Sequence, residues 1–151
     1  MSSPLEVGWR EWLTLPALDV QWLKAKIDTG ARTSALNAQE ITLFQRDQTD
    51  WVRFKLHPVQ EQETPQVVCE APVVEYRHVT DSGGNTEKRP VIRTQIILGS
   101  LQSAVDITLT DRSKVKFRML LGRTALPTTA TVLPRRSFLQ GGDRHNPPRF
   151  S

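Results

Sequence analysis

Lys26-Ile27-Asp28-Thr29-Gly30-Ala31 decides how the rest of the chain is read. Leu23, Ala25 and Ile27 lead into it as the apolar residues of a strand. The acid, small hydroxyl and glycine that follow make a tight turn with a carboxylate at its tip. The Asp can act as a base toward water. The Thr hydroxyl can hydrogen-bond across the turn and hold it. The Gly lets the backbone pass close to the carboxylate in a conformation that a side chain would forbid. Taken alone, the same residues also describe an ordinary strand closing in a polar turn.

A second stretch, Met119-Leu120-Leu121-Gly122-Arg123, shifts that balance. Alone it is a buried strand ending at a glycine. Together and in this order, the two stretches resemble the retropepsin-like aspartic peptidases. Each subunit of those enzymes carries an Asp-Thr-Gly loop and a late apolar-apolar-Gly strand, often followed by Arg, packed beneath it. The interval between residues 31 and 119 has room for intervening strands and a flap.

The chain has 151 residues, enough for one domain with its own core. Its 38% apolar and 24% charged content suits a globular protein. No apolar run reaches membrane length. The first residues lack the basic and apolar regions of a signal peptide. The single cysteine, Cys69, can form no internal disulfide, which agrees with a cytoplasmic location. A net charge of +4 leans toward acidic partners without being a nucleic-acid signature.

Short extended segments alternate with turns along the chain. Trp9, Trp12 and Leu13 fit an edge strand or a helical turn; Trp22 to Asp28 is a strand; Trp51 to Leu56 alternates apolar with basic residues. Val67 to Val79 is extended and bent at Pro72, residues 89–98 and 104–110 return as strands, and Thr124 to Leu126 fits a short helix. Turn signals recur every ~8–12 residues and no long helical period occurs, which predicts an all-β closed barrel or sandwich. Residues 139–151 are predicted to be a flexible C-terminal tail after a single domain spanning 1–138.

Aspartic peptidase chemistry needs two carboxylates sharing one proton, one serving as base toward water and the other as acid toward the scissile carbonyl. With one Asp-Thr-Gly, the partner must come from a second copy or from elsewhere in the chain. Asp81-Ser82-Gly83 is the internal candidate, but it runs into turn residues and lacks its own apolar-apolar-Gly strand. Ser82, Gly83 and Gly84 read better as a flap tip that covers substrate, or as a plain hairpin turn. Zinc chemistry has weak support, because His57, His78 and His145 form no ligand motif and Cys69 has no spaced partner. Ser34 lacks a nucleophile-elbow context.

Basic residues bracket the same segments. Arg32 follows the loop; Arg77, Lys88, Arg89 and Arg93 flank the flap; Arg123 follows the late glycine. A guanidinium fork binds carboxylates bidentately, so a site for Glu- or Asp-rich peptides is one reading. A solvated charged edge at the flap and a structural Arg123 is the other.

Gly8-Trp9-Arg10-Glu11-Trp12, the run Ala25 to Leu36, Arg89-Pro90-Val91-Ile92, Leu109-Thr110-Asp111-Arg112 and Met119 to Arg123 together resemble one bacterial family over about Val7 to Ser137. That family includes the RimB proteins and is often labelled an ATP-dependent zinc protease. The resemblance implies a closed retropepsin-like barrel with at most one or two short helices, acting as a homodimer. It implies Asp28 as the catalytic acid, Thr29 and Gly30 as its loop, and Leu121, Gly122 and Arg123 as support beneath it. Ala31, Arg32, Arg77, Arg89 and Arg93 are the expected substrate contacts. Family members are associated with an ATP-grasp ligase that adds glutamates to ribosomal protein S6, which implies a peptidase acting on α-linked glutamate tails. Viral retropepsins carry an acid where this chain has Arg32. No cofactor, metal, membrane or specific nucleic acid is expected, since neither a phosphate-binding glycine loop nor a ligand set is present. A non-catalytic module binding acidic tails and a zinc peptidase remain as alternatives.

Overall fold

The computed structural model describes residues 4–59, 65–80, 82–111 and 116–149. Its strands are β1 (Glu6–Gly8), β2 (Arg10–Leu15), β3 (Val20–Asp28), β4 (Ser34–Asn37), β5 (Gln39–Arg46), β6 (Thr49–Leu56), β7 (Val67–Pro72), β8 (Glu75–Thr80), β9 (Thr86–Leu98), β10 (Leu101–Thr110), β11 (Met119–Gly122) and β12 (Thr131–Leu133). Single 3-10 turns cover Pro16–Leu18 and Arg123–Ala125.

Six strands close into a barrel in the order β10-β4-β11-β3-β2-β9, with β9 pairing again with β10. The all-β closed barrel expected from the strand pattern is what the chain forms, and the sandwich alternative is not. The period-two pattern explains closure. On β10, Val105, Ile107 and Leu109 point inward, and on β3 Leu23, Ala25 and Ile27 do the same. Leu13, Leu36, Ile92 and Leu121 meet them in the core with no exposed surface. Trp12 and Leu13 settle as strand, with Trp9 at a bend before it: β2 alternates half-buried and buried residues, with Leu13 and Leu15 inward.

Two additions stand outside the ring. A three-stranded sheet, β5-β6-β7, lays Val52, Phe54 and Leu56 inward. The hairpin of β8 and β9 extends past the barrel wall, and its described connection is residues 82–85; Gly84 there has φ +84°, a left-handed conformation that favours glycine. Tyr76 on β8 donates its hydroxyl hydrogen to Asp50 Oδ2 at 2.8 Å, tying the arm to β6. β1 pairs in parallel with β12.

The segment predicted to be a flexible tail makes specific contacts over its described part. Glu11, with no exposed surface, accepts hydrogen bonds from the backbone N–H groups of Gly8 (2.7 Å) and Leu139 (2.9 Å) on Oε2, and of Gln140 (3.0 Å) on Oε1. Trp12 Nε1 donates to the Asp143 carbonyl at 2.8 Å, and Lys24 Nζ to that of Arg144 at 2.9 Å. Asp143 in turn caps the backbone N–H groups of His145 and Asn146, which lowers its pKa. Residues 139–149 therefore lie as a strap across β2 and β3. Phe150 and Ser151 fall outside the described residues, as do residues 60–64, 81 and 112–115, and with them Asp81 and the first residue expected of the late strand, Val115.

Candidate active site

Asp28 is the last residue of β3, and Gly122 stands opposite it on β11. β11 is wedged between β3 and β4, parallel to the first and antiparallel to the second. A Cβ on Gly122 would sit 2.6 Å from the carbonyl carbon and oxygen of Thr33, so a glycine is required for β11 to enter. Gly122 N–H also donates to the buried Ser34 Oγ at 3.0 Å. Ser34 thus serves the packing beneath the loop.

The loop after Asp28 is held mostly by backbone. Ala31 N–H donates to the Asp28 carbonyl (3.2 Å), Arg123 N–H to that of Ala31 (2.9 Å), and Thr124 Oγ1 to that of Arg32 (2.5 Å). Arg123 reaches back with its guanidinium toward the carbonyls of Thr29 (3.5 Å) and Gly30 (3.4 Å). Its contacts are therefore to its own chain's loop. The Thr29 hydroxyl, expected to brace the turn, makes no hydrogen bond among the described residues and is exposed. Asp28 itself is half-buried, and its carboxylate likewise has no hydrogen-bond or ion-pair partner among them. Gly30 has no left-handed φ, and a Cβ there would meet only Asp28 Oδ1, at an ordinary 3.4 Å. Nothing among the described residues crowds it.

The arginines expected to contact substrate divide into two groups. Arg32, Arg77 and Arg93 line one cleft of about 470 Å³ together with Asp106. Arg77 is paired with Glu75 (2.9 Å), Arg93 with Asp106 (2.8 Å) and Arg89 with Glu87 (3.1 Å). Arg32 has no such partner among the described residues. Arg89 borders a different pocket of about 340 Å³, walled by Lys26, Lys116, Phe117, Arg118 and Leu120. Lys26, Lys116 and Arg118 did not stand out in the sequence. One signal was there: Lys26 lies two residues before Asp28, hence on the same face of β3. Ala31 is half-buried; its N–H donates to the Asp28 carbonyl and its own carbonyl accepts from the Arg123 N–H.

Ser82, Gly83 and Gly84 sit exposed at the tip of the β8–β9 hairpin, where a flap tip or a plain turn would be. Lys88 stacks over Tyr76 along that arm, 4.2 Å from the ring centroid. Among the described residues, no three His, Cys, Asp or Glu side chains converge. His57 contacts Gln39 at 3.0 Å, and His145 lies in the strap. No described helix is long and apolar enough to cross a membrane.

Known proteins resemble this chain in two ways. It is 40% identical over 146 residues to a protein of Parasynechococcus marenigrum named "Probable alpha-L-glutamate ligase", covering 97% of this chain and 31% of that protein. A Shewanella pealeana protein of the same name is 43% identical over 135 residues, covering 89% and 30%. The chain thus spans about three tenths of the length of these curated relatives. The crystal structure of Lpg0085 from Legionella pneumophila, a protein of unknown function, superposes with a TM-score of 0.75 at 28% identity, over 91% of this chain and 99% of that one. An Asp-Thr-Gly loop seated on a late Leu-Leu-Gly strand in a closed six-stranded barrel agrees with the family model that residues 6–143 match, and the chain belongs to that RimB-like family, described as retropepsin-like aspartic endopeptidase RimB.

Proposed function

We propose that the chain is an aspartic peptidase active as a homodimer, in which Asp28 from each copy supplies one half of the catalytic dyad. The observation that carries this reading is the Asp28 carboxylate: half-buried, on a loop fixed from beneath by β11, and without a partner among its own chain's described residues. A fixed carboxylate in that state suits a second carboxylate approaching from another copy. The exposed Thr29 hydroxyl and uncrowded Gly30 leave that approach open. With the two carboxylates sharing one proton, the ionised one takes a proton from water and the protonated one donates to the scissile carbonyl oxygen. The hydroxide adds to the carbonyl carbon, the tetrahedral intermediate collapses, the C–N bond breaks, and the amine leaves with a proton from the dyad.

The substrate we propose is an α-linked, glutamate-rich peptide or protein tail, with ribosomal protein S6 as the member of that class implied by the family resemblance. Arg32 is the first candidate to meet it, since Arg77, Arg89 and Arg93 already face acids of their own chain. The names of the longer relatives support a setting in which glutamate tails are made by a ligase, and the hydrolytic reading makes this domain the opposing activity. The same names favour a second reading, a non-catalytic domain that grips glutamate tails for a ligase.

Hydrolysis of a hexaglutamate peptide separates the two. The expected result is turnover that survives EDTA and is abolished in Asp28→Asn, with a dimer in sedimentation. Tight peptide binding with no turnover by the wild type would support the gripping domain, and turnover lost in EDTA would support a metal peptidase.

A further inference from the structure

We propose that the pocket bounded by Lys26, Arg89, Lys116 and Arg118 is a carboxylate-binding subsite that selects an acidic side chain next to the cleaved bond. The proposal rests on the hydrolytic reading for its place in the reaction, and on the pocket alone for its ligand.

Position is the first argument. Lys26 and Asp28 share the outer face of β3, separated by two residues or ~6.6 Å. That is also the spacing of same-side side chains along an extended peptide. A peptide whose scissile carbonyl lies at Asp28 can therefore deliver a neighbouring side chain to Lys26. The register continues the surface: Lys26 is opposite Leu120, Leu120 opposite Ala35, and Ala35 opposite Thr108. These residues form one row across four adjacent strands.

Composition is the second. Four cations line a volume of about 340 Å³, Arg89 among them already paired with Glu87, and none of the described residues lining it is an acid. The other cleft, by contrast, contains Asp106 among its arginines. Lys26 is exposed and carries no ion pair among the described residues, so its charge is available to a ligand. Leu120 and Phe117 give the pocket an apolar wall suited to the methylenes of a glutamate side chain, while its carboxylate meets the cations. Thr110, 6% exposed, also borders the pocket, and its hydroxyl finds no hydrogen-bond partner among the described residues. A buried hydroxyl in that condition is unusual, and an anionic acceptor or the water it brings in would complete it.

The test compares peptides identical except for Glu or Gln at the residue beside the cleaved bond. Gln keeps the shape and removes the charge. In wild type, kcat/KM should favour Glu, and Lys26→Gln should lower that Glu/Gln preference about ten- to a hundredfold, the range expected for one charge-assisted contact. Lys26→Arg should restore most of it. The melting temperature should stay put, because Lys26 is exposed. Equal losses on the Glu and Gln peptides would overturn the proposal. Binding of hexaglutamate and hexaglutamine to Asp28→Asn protein provides a second arm that needs no catalysis. If wild type cleaves neither peptide yet Lys26→Gln still erases the binding preference, the subsite stands and the hydrolytic reading falls. If a single-stranded oligonucleotide outcompetes hexaglutamate and loses affinity equally in Lys26→Gln, the pocket reads phosphates instead and the proposal is overturned.

Discussion

Removing the Glu11 carboxylate should release the C-terminal strap and destabilise the whole domain. Glu11 is fully buried and accepts three backbone N–H groups, two on one oxygen and one on the other. Hydrogen bonds to a charged group contribute about 1.5–3 kcal/mol each. Three do not simply add, because a strap that detaches lets Leu139 and Gln140 hydrate their N–H groups, while Gly8 stays inside. A cost of about 3–5 kcal/mol for Glu11→Ala follows, in the range for deleting one partner of a buried charged contact. For a domain of this size each kcal/mol lowers Tm by about 2–4 °C. Glu11→Gln keeps one accepting oxygen but turns an amide N–H toward a backbone N–H, so about half the loss is expected. Urea unfolding measures the cost, and hydrogen exchange at Leu139 and Gln140 reads the strap itself. Those two amides should be protected in wild type and lose protection before the barrel does in Glu11→Ala. Fast exchange in wild type would mean that the segment behaves as the free tail predicted from its composition. A Glu11→Ala protein within about 1 kcal/mol of wild type would refute the reasoning.

Two further outcomes are expected. Gly122→Ala forces a Cβ to within 2.6 Å of the Thr33 backbone, and should cost about 1–3 kcal/mol and, on the proposed hydrolytic reading, lower turnover by displacing the Asp28 loop; unchanged thermal melting would contradict the wedge. Burial, and then the Asp19 charge, push the Cys69 thiol up to about 11 from 9.0, so the folded state holds a proton that the unfolded chain sheds. Stability should therefore fall as pH rises from 9 through 11, and iodoacetamide at pH 8 should label Cys69 only after urea unfolding, by mass spectrometry; native-state labelling at a free thiol's rate would sink this.

The Asp28 loop and the strand beneath it were legible because their requirements are local. Asp28, Gly30 and Gly122 are small sets of residue types at fixed spacings, and apolar alternation on β3 and β10 announces the barrel directly. What escaped notice depends on long-range partners. Glu11 reads as a polar residue of a Trp-rich strand, since its partners are backbone N–H groups that any sequence supplies. A glycine- and proline-containing stretch such as 140–149 looks unstructured on composition, although Trp12 and Lys24 hold its carbonyls. The flap arginines carried a signal that went unused: Glu75 with Arg77, and Glu87 with Arg89, lie two apart on one strand face, so their pairing follows from alternation alone. Lys116 and Arg118 join Lys26 only through the placement of β11, which no local pattern gives.

The wedged strand also sets an order of events in time. Thr29 and Arg123 meet although 94 residues separate them, and β3 touches β4 only through β11. Before Met119 to Thr124 arrive, the ring stays open beside the Asp28 loop and the carbonyls of Ala31 and Arg32 lack the donors that hold them. Contacts of such span are slow to form, because a long loop must be closed before any of them stabilises the chain. On a chain emerging from its N-terminus, the aspartate is made early and positioned late. A growing chain thus carries Asp28 on an unassembled loop until most of the domain has been synthesised.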